Sequence, residues 1–105
     1  MQLDYTYSKI KKIAKEVRGK YQINSLVEIV QYAFSDEDIL TVFIREGSGC
    51  KTNAEADKLI DETMQGGTDY FEIQQDVIRG LISANFYKKE LQEMLNNLTV
   101  SATAN

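Results

Sequence analysis

Histidine and proline are absent from this chain of 105 residues, and cysteine occurs once. Without histidine there is no ordinary general base near neutral pH and no imidazole ligand for a metal. No Ser–His or Cys–His nucleophilic pair can form either, and no paired acids lie beside an obvious pocket-forming apolar segment. We therefore expect a protein that is not an enzyme and has no cofactor, no metal and no small-molecule substrate.

Other absences limit the folds and the cellular compartments that are possible for this chain. The lack of proline removes the strongest helix breaker, and the lone Cys50 has no partner for an internal disulfide, which fits a reducing cytoplasm. No apolar run approaches the ~20 residues needed to cross a bilayer. The N-terminal charges are not followed by the apolar core of a signal peptide. We expect a cytoplasmic protein with no membrane partner.

Charge is unevenly distributed along the chain. Residues 1–20 hold six basic and two acidic residues, and the remainder holds six basic and fourteen acidic ones, for a net charge of −4. An acidic body repels phosphate backbones, so we do not expect a nucleic-acid partner. The apolar fraction of 43% and the length suit one domain with one modest core.

The N-terminal segment changes its periodicity. Alternation over residues 1–7 places Leu3, Tyr5 and Tyr7 on one face, which fits either a short edge strand or the lead-in to a helix. From Ser8, a candidate N-cap, the apolar residues follow helical spacing and lysines fill the other face.

The sequence does not decide between helix and strand for the next two apolar segments. Residues 26–34 follow Asn24-Ser25 and are apolar on nearly every side, so we interpret them as the buried central helix, although their β-branched residues also permit a strand. Ser35 and the three acids after it form a helix start, which favours a helix over residues 39–45. Gly47 is placed to end that helix.

The next two helices carry clearer boundary signals. The capping box T-x-x-E at Thr52 begins a helix that stops at Gly66-Gly67, and Thr68 or Asp69 begins the following one. Gly80, inside that second helix, is expected to allow close approach of another helix. The Gly-rich turn before Lys51-Thr52 lacks both glycines that a phosphate-binding loop requires, so we do not predict nucleotide binding.

Residues 86–98, after a break at Asn85, have the pattern of an amphipathic helix. Its apolar stripe either completes the domain's own core or forms a detachable face for a partner helix. Under the second interpretation the predicted protein-binding residues are Phe86, Tyr87, Lys88, Leu91, Met94 and Leu95. The whole chain is predicted to be an all-α single-domain bundle of four to six helices over residues 1–98, with a frayed tail over residues 99–105.

The order of these features is distinctive over roughly residues 5–95. A basic amphipathic segment and a buried apolar segment are followed by I-L-T-V-F-I-R-E-G, T-N-A-E-A-D-K-L-I-D-E and D-Y-F-E-I-Q-Q-D-V-I-R-G-L-I-S-A-N-F-Y-K-K. This order resembles the small tail assembly chaperones of long-tailed bacteriophages and of prophages in Gram-positive bacteria. The resemblance assigns no binding residues.

The resemblance implies a mostly α-helical, non-enzymatic protein. Such a protein binds the long tape measure protein and keeps it soluble while tail tube protein subunits polymerise around it. It acts in the host cytoplasm and is left out of the finished virion. The family often also makes a longer form by translational frameshifting near the end of the short reading frame.

Two other functions fit the residue pattern. The first is a small acidic inhibitor or antitoxin-type protein, whose acidic surface imitates nucleic acid and binds a basic target. Its candidate residues are Asp57, Asp61, Glu62, Asp69, Glu72 and Asp76. The second is a DNA-binding regulator that uses the basic first helix. Whether the chain forms a homo-oligomer is left open.

Overall fold

The computed structural model describes the backbone of residues 1–104 and the side chains of residues 1–99. This part of the chain forms six α-helices and one turn of 3-10 helix, which confirms the all-α prediction. The helices are α1 (Tyr7–Arg18), α2 (Ile29–Ser35), α3 (Glu37–Ser48), α4 (Asn53–Gln65), α5 (Tyr70–Ser83) and α6 (Lys88–Ala104), and the 3-10 turn is Leu26–Glu28.

Helix α3 is the central helix of the bundle. It packs against α1, α2, α4 and α5, and most of its residues from Ile39 to Gly47 are buried. The prediction that residues 26–34 form the central helix is wrong. They divide into the 3-10 turn, which contains no buried residue, and the short helix α2, whereas α3 is long enough to be covered by four neighbours.

Two predicted helix caps are wrong by one or two residues. Helix α1 begins after Thr6 rather than at Ser8, because the Thr6 hydroxyl accepts the backbone N–H three residues later (3.3 Å). Helix α3 begins after Asp36, whose carboxylate accepts the backbone N–H two residues later (2.9 Å). Ser35 is instead the last residue of α2. In each case the residue with extended backbone provides the cap.

The other predicted starts are confirmed. The Thr52 hydroxyl accepts the backbone N–H of Glu55 (3.1 Å) at the start of α4, and the Asp69 carboxylate accepts that of Phe71 (3.0 Å) at the start of α5. The predicted end of α3 at Gly47 is wrong. The helix continues to Ser48, and Gly49 ends it with a φ of 79°, a left-handed conformation that glycine adopts at no steric cost.

Residues 1–6 are extended but form no strand within the described chain. Their backbone contact is with a helix, since Asp4 N–H donates to the carbonyl of Gly47 (2.8 Å). Leu3 and Tyr5 are buried, as the alternation predicts, but Tyr7 belongs to α1 and is 70% exposed. The strand interpretation therefore fails because the segment lies across helices and has no neighbouring strand.

Tyr5 is held in a slot that two glycines leave open. A Cβ atom at Gly47 would lie 2.7 Å from the Tyr5 hydroxyl, and one at Gly80 would lie 2.8 Å from the carbonyl oxygen of Leu3 and from the Tyr5 ring. The Tyr5 hydroxyl donates to the carbonyl of Phe43 (2.8 Å). The close approach predicted at Gly80 is thus made by the N-terminal segment and not by another helix.

Helix α6 extends past the predicted domain limit at residue 98, up to Ala104. The predicted frayed tail over residues 99–105 falls mostly where side chains lie outside the described residues, and Asn105 lies outside them altogether.

Candidate protein-binding surface

The candidate surface is built on the hairpin of α5 and α6. In the described residues α6 packs chiefly against α5. A short turn joins the two helices, and the backbone N–H groups of Asn85 and Phe86 donate to carbonyls in the last turn of α5 (both 3.0 Å). The predicted break at Asn85 is confirmed, because its φ is 60° and the helix cannot continue through it.

The six predicted binding residues occupy different environments in this hairpin. Leu91 is fully buried and belongs to the core, so its side chain is not available to a partner in this conformation. Phe86 is half-buried against the ring of Tyr87, with the ring centroids 4.9 Å apart. Tyr87 is 39% exposed. Lys88 is exposed and Met94 and Leu95 are half-buried.

The stripe therefore contributes one residue to the core and leaves the others partly exposed. Leu91 completes the core, while its neighbours pack against the core with one side and meet solvent with the other. Leu98, which was not among the predicted binding residues, shares this half-buried environment. Its spacing of seven residues from Leu91 already places it in the apolar stripe predicted from the sequence. The α6 face, as we use the term, comprises Tyr87, Lys88, Met94, Leu95 and Leu98.

The charges at the start of α6 are not explained by the stability of that helix. Lys88 and Lys89 lie in its first turn, where the positive end of the helix dipole disfavours cations. Both are exposed, and neither forms an ion pair within the described residues. Two unpaired ammonium groups, one within the α6 face and one next to it, can thus meet carboxylates of a partner.

Several residues of the predicted acidic surface are already engaged. Asp57 accepts a hydrogen bond from Thr41 (2.6 Å), and Asp69 caps α5. Asp76 pairs with Arg79 (2.9 Å) and is mostly buried. These carboxylates stabilise the fold, so the acidic surface free to imitate nucleic acid is smaller than the sequence predicts.

The outer face of α1 is a second charged surface. Its exposed cations form no ion pair within the described residues, and they are Lys11, Lys12, Lys15 and Arg18. The one acid on this helix, Glu16, is bound by Arg45 of α3 (2.6 Å). The lysine face predicted from the sequence is therefore present as a solvated surface.

The most perturbed carboxyl group belongs to a structural site. The Lys20 ammonium 2.8 Å away and the hydrogen bond donated by the Tyr21 hydroxyl hold the pKa of Asp36 well below its usual range. The same carboxylate caps α3. Sequence reasoning missed this cluster, because nothing local in the chain pairs Asp36 with residues of the segment after α1.

The described part of the chain has neither a metal-binding cluster nor a membrane-spanning helix. No group of three or more Cys, Asp or Glu residues there could hold a metal ion. No helix there has the length and apolar character that a membrane span needs.

Comparison of the chain with protein families, with curated proteins and with solved structures finds no match. The resemblance to bacteriophage tail assembly chaperones therefore rests on the order of sequence features alone.

Proposed function

We propose that this protein is a non-catalytic tail assembly chaperone that binds a tape measure protein through the α6 face. The observation that carries the proposal is a helix whose apolar stripe is only partly used by the core. Met94, Leu95 and Leu98 are half-buried, and Tyr87 exposes its ring beside Lys88. Amphipathic faces of this kind bind helical or extended segments of other proteins.

The size of the surface fits a temporary complex. Stable protein interfaces bury about 1,200–2,000 Å² in total, and the α6 face is one side of one helix with a single aromatic residue. Such a surface binds weakly and reversibly. A chaperone that must leave before tail tube subunits enclose its partner needs this kind of binding, because a tight complex would block assembly.

The charges at the start of α6 add selectivity. Unpaired cations at Lys88 and Lys89 favour a partner segment that carries acids next to its apolar residues. Apart from the basic outer face of α1, the chain is acidic, with six basic and fourteen acidic residues over residues 21–105, so a long acidic stretch of a partner would be repelled by most of the surface outside this region. We expect the preferred target to be a short apolar segment with acidic residues on one flank.

The test is co-purification of the full chain with the tape measure-like protein encoded nearest its gene. Replacing Tyr87 with asparagine removes the ring while keeping a residue that tolerates positive φ, and Met94→Gln removes apolar contact. We expect the double variant to lose at least half of the co-purified partner. The control is Asn96→Ala, an exposed change on α6, and it should retain full binding.

Two results would oppose the proposal. One is a folded double variant that captures as much partner as the unchanged chain. The other is loss of capture only on substitution of the α1 lysines, which would move the binding surface to the basic helix.

A further inference from the structure

The exposed cations of α1 have no ionic partner in the bundle. None of them forms an ion pair within the described residues. The one acid on this helix, Glu16, is bound by Arg45 of α3 (2.6 Å) and does not neutralise them. The α1 basic face, as we use the term, comprises Lys11, Lys12, Lys15 and Arg18.

The stability of α1 does not account for this arrangement. Lys15 and Arg18 lie in the last turn, where the helix dipole favours cations. Lys11 and Lys12 lie before that turn, and Lys11 forms a like-charge i, i+4 pair with Lys15, which destabilises a helix. The Lys11 ammonium lies 5.5 Å from the centroid of the Tyr7 ring, and that ring is itself 70% exposed. A face that costs helix stability and carries unpaired cations is suited to binding an anion.

The α1 basic face ends beside an open cleft of ≈ 430 Å³. Its lining is Arg18, Gly19, Lys20, Tyr21, Gln22 and Ile23. Lys20 is already paired with Asp36 (2.8 Å), so Arg18 is the cation there that can bind an added anion. A guanidinium binds a carboxylate through two parallel hydrogen bonds, and the cleft therefore provides an end point for a bound acidic chain.

The charge of the rest of the protein limits the size of that anion. Lys11 and Arg18 are seven residues apart, about 10 Å along the helix axis, and an extended peptide spans that distance in about three or four residues. Residues 21–105 hold six basic and fourteen acidic residues. A long polyanion such as a nucleic acid would be repelled by most of the remaining surface, whereas a short acidic segment would not.

We propose that the α1 basic face binds a short acidic segment of a partner protein, with about four consecutive Asp or Glu residues. Helix α1 packs on α2 and α3, whereas α6 packs chiefly on α5. The α1 basic face is thus a second binding surface, separate from the α6 face. The inference goes beyond the proposed function and does not rest on it, because the charge complementarity holds whatever binds to α6.

An NMR titration of the isotope-labelled full chain tests this surface. The probe is hexaglutamate with blocked termini, added at low ionic strength. We expect the amide shifts to concentrate in residues 8–22 and the affinity to fall as salt is added, because salt screens exposed charge pairs.

Paired substitutions test which cations are responsible. Lys11→Gln combined with Lys15→Gln should weaken binding about 5-fold, since each exposed ion pair contributes little by itself. The variant should stay folded, because a like-charge pair is removed. The matched control combines Lys51→Gln with Lys58→Gln, which removes the same charge at two exposed lysines elsewhere. It should bind hexaglutamate as the unchanged chain does.

Several outcomes would overturn the proposal. Hexaglutamate that shifts no amide of α1 removes the surface, and equal weakening in both double variants shows a response to net charge alone. Tighter binding of a single-stranded oligothymidylate with the same charge assigns the face to nucleic acid. A dimer of the unchanged chain that dissociates in the Lys11→Gln, Lys15→Gln variant makes a second copy the occupant.

Discussion

Replacing Gly80 with alanine tests the slot that holds the N-terminal segment. In an open helix this change is stabilising by about 1 kcal/mol, because alanine has the higher helix propensity. Here the new Cβ would lie 2.8 Å from the carbonyl oxygen of Leu3 and from the Tyr5 ring. A backbone carbonyl cannot rotate away, and the ring is fixed by its hydrogen bond to Phe43.

The expected loss of stability is estimated from the contacts that the substitution strains or removes. If the N-terminal segment stays in place against the new Cβ, overpacking costs about 1–3 kcal/mol of stability. If it leaves, burial of Leu3 and Tyr5 is lost at about 2 kcal/mol each, together with a hydrogen bond of about 1 kcal/mol. Subtracting the gain of about 1 kcal/mol in helix propensity leaves a net loss of about 1 kcal/mol from overpacking in the middle of its range and of about 4 kcal/mol from loss of the segment, so we expect Gly80→Ala to lower the free energy of unfolding by about 1–4 kcal/mol.

Urea denaturation followed by circular dichroism measures this change as a lower midpoint. The matched control is Gly66→Ala, since a Cβ there meets only backbone oxygens at 3.5 Å, an ordinary contact. It should leave the midpoint unchanged within about 0.5 kcal/mol, as surface substitutions generally do. A Gly80→Ala variant as stable as the unchanged chain, or more stable, would refute the close packing of the N-terminal segment.

Three further predictions concern single contacts. Tyr5→Phe removes the hydrogen bond to the Phe43 carbonyl and should lower the free energy of unfolding by about 1 kcal/mol in urea denaturation; no change would contradict the bond. Thr52→Ala removes the cap of α4 and should also cost about 1 kcal/mol, whereas Thr52→Ser, the control, should cost little. The depressed pKa of Asp36 makes its ionised form stabilising above its unfolded pKa of about 3.9, and this contribution is lost as pH falls below that value. Asp36→Asn should therefore lower the thermal midpoint at pH 7 more than at pH 3, and an equal loss at both would contradict this assignment.

Local signals in the sequence predicted a large part of the fold. The caps at Thr52 and Asp69 and the break at Asn85 were correct because each depends on residues within one turn. The cap at Ser35 was wrong because the adjacent Asp36 receives additional support from Lys20 and Tyr21, which lie in another segment. Propensity alone does not distinguish two neighbouring capping residues.

The roles of the helical glycines depend on distant contacts. The sequence predicts that Gly47 ends a helix, yet it lies inside α3 and leaves room for Tyr5. Gly80 was correctly expected to permit a close approach, but the group that approaches is the extended segment around Leu3. Neither contact is accompanied by a periodic pattern in the sequence from which it could be predicted.

The candidate site was predictable as a helix face but not residue by residue. The spacing of the stripe placed Leu91, Met94 and Leu95 together. It could not show that Leu91 is fully buried while the other two are half-exposed, because that division depends on how α6 lies against α5. The left-handed backbone of Tyr87 and the contact of its ring with Phe86 were likewise not indicated by a local motif.

The soluble fraction of the tape measure-like protein tests the proposed function most directly. It is measured by co-expressing that protein with this chain, with the Tyr87→Asn and Met94→Gln double variant, and with no second protein. We predict that the unchanged chain moves most of an otherwise insoluble partner into the soluble fraction and that the double variant does so much less. A partner equally insoluble in all three cases would contradict a chaperone function.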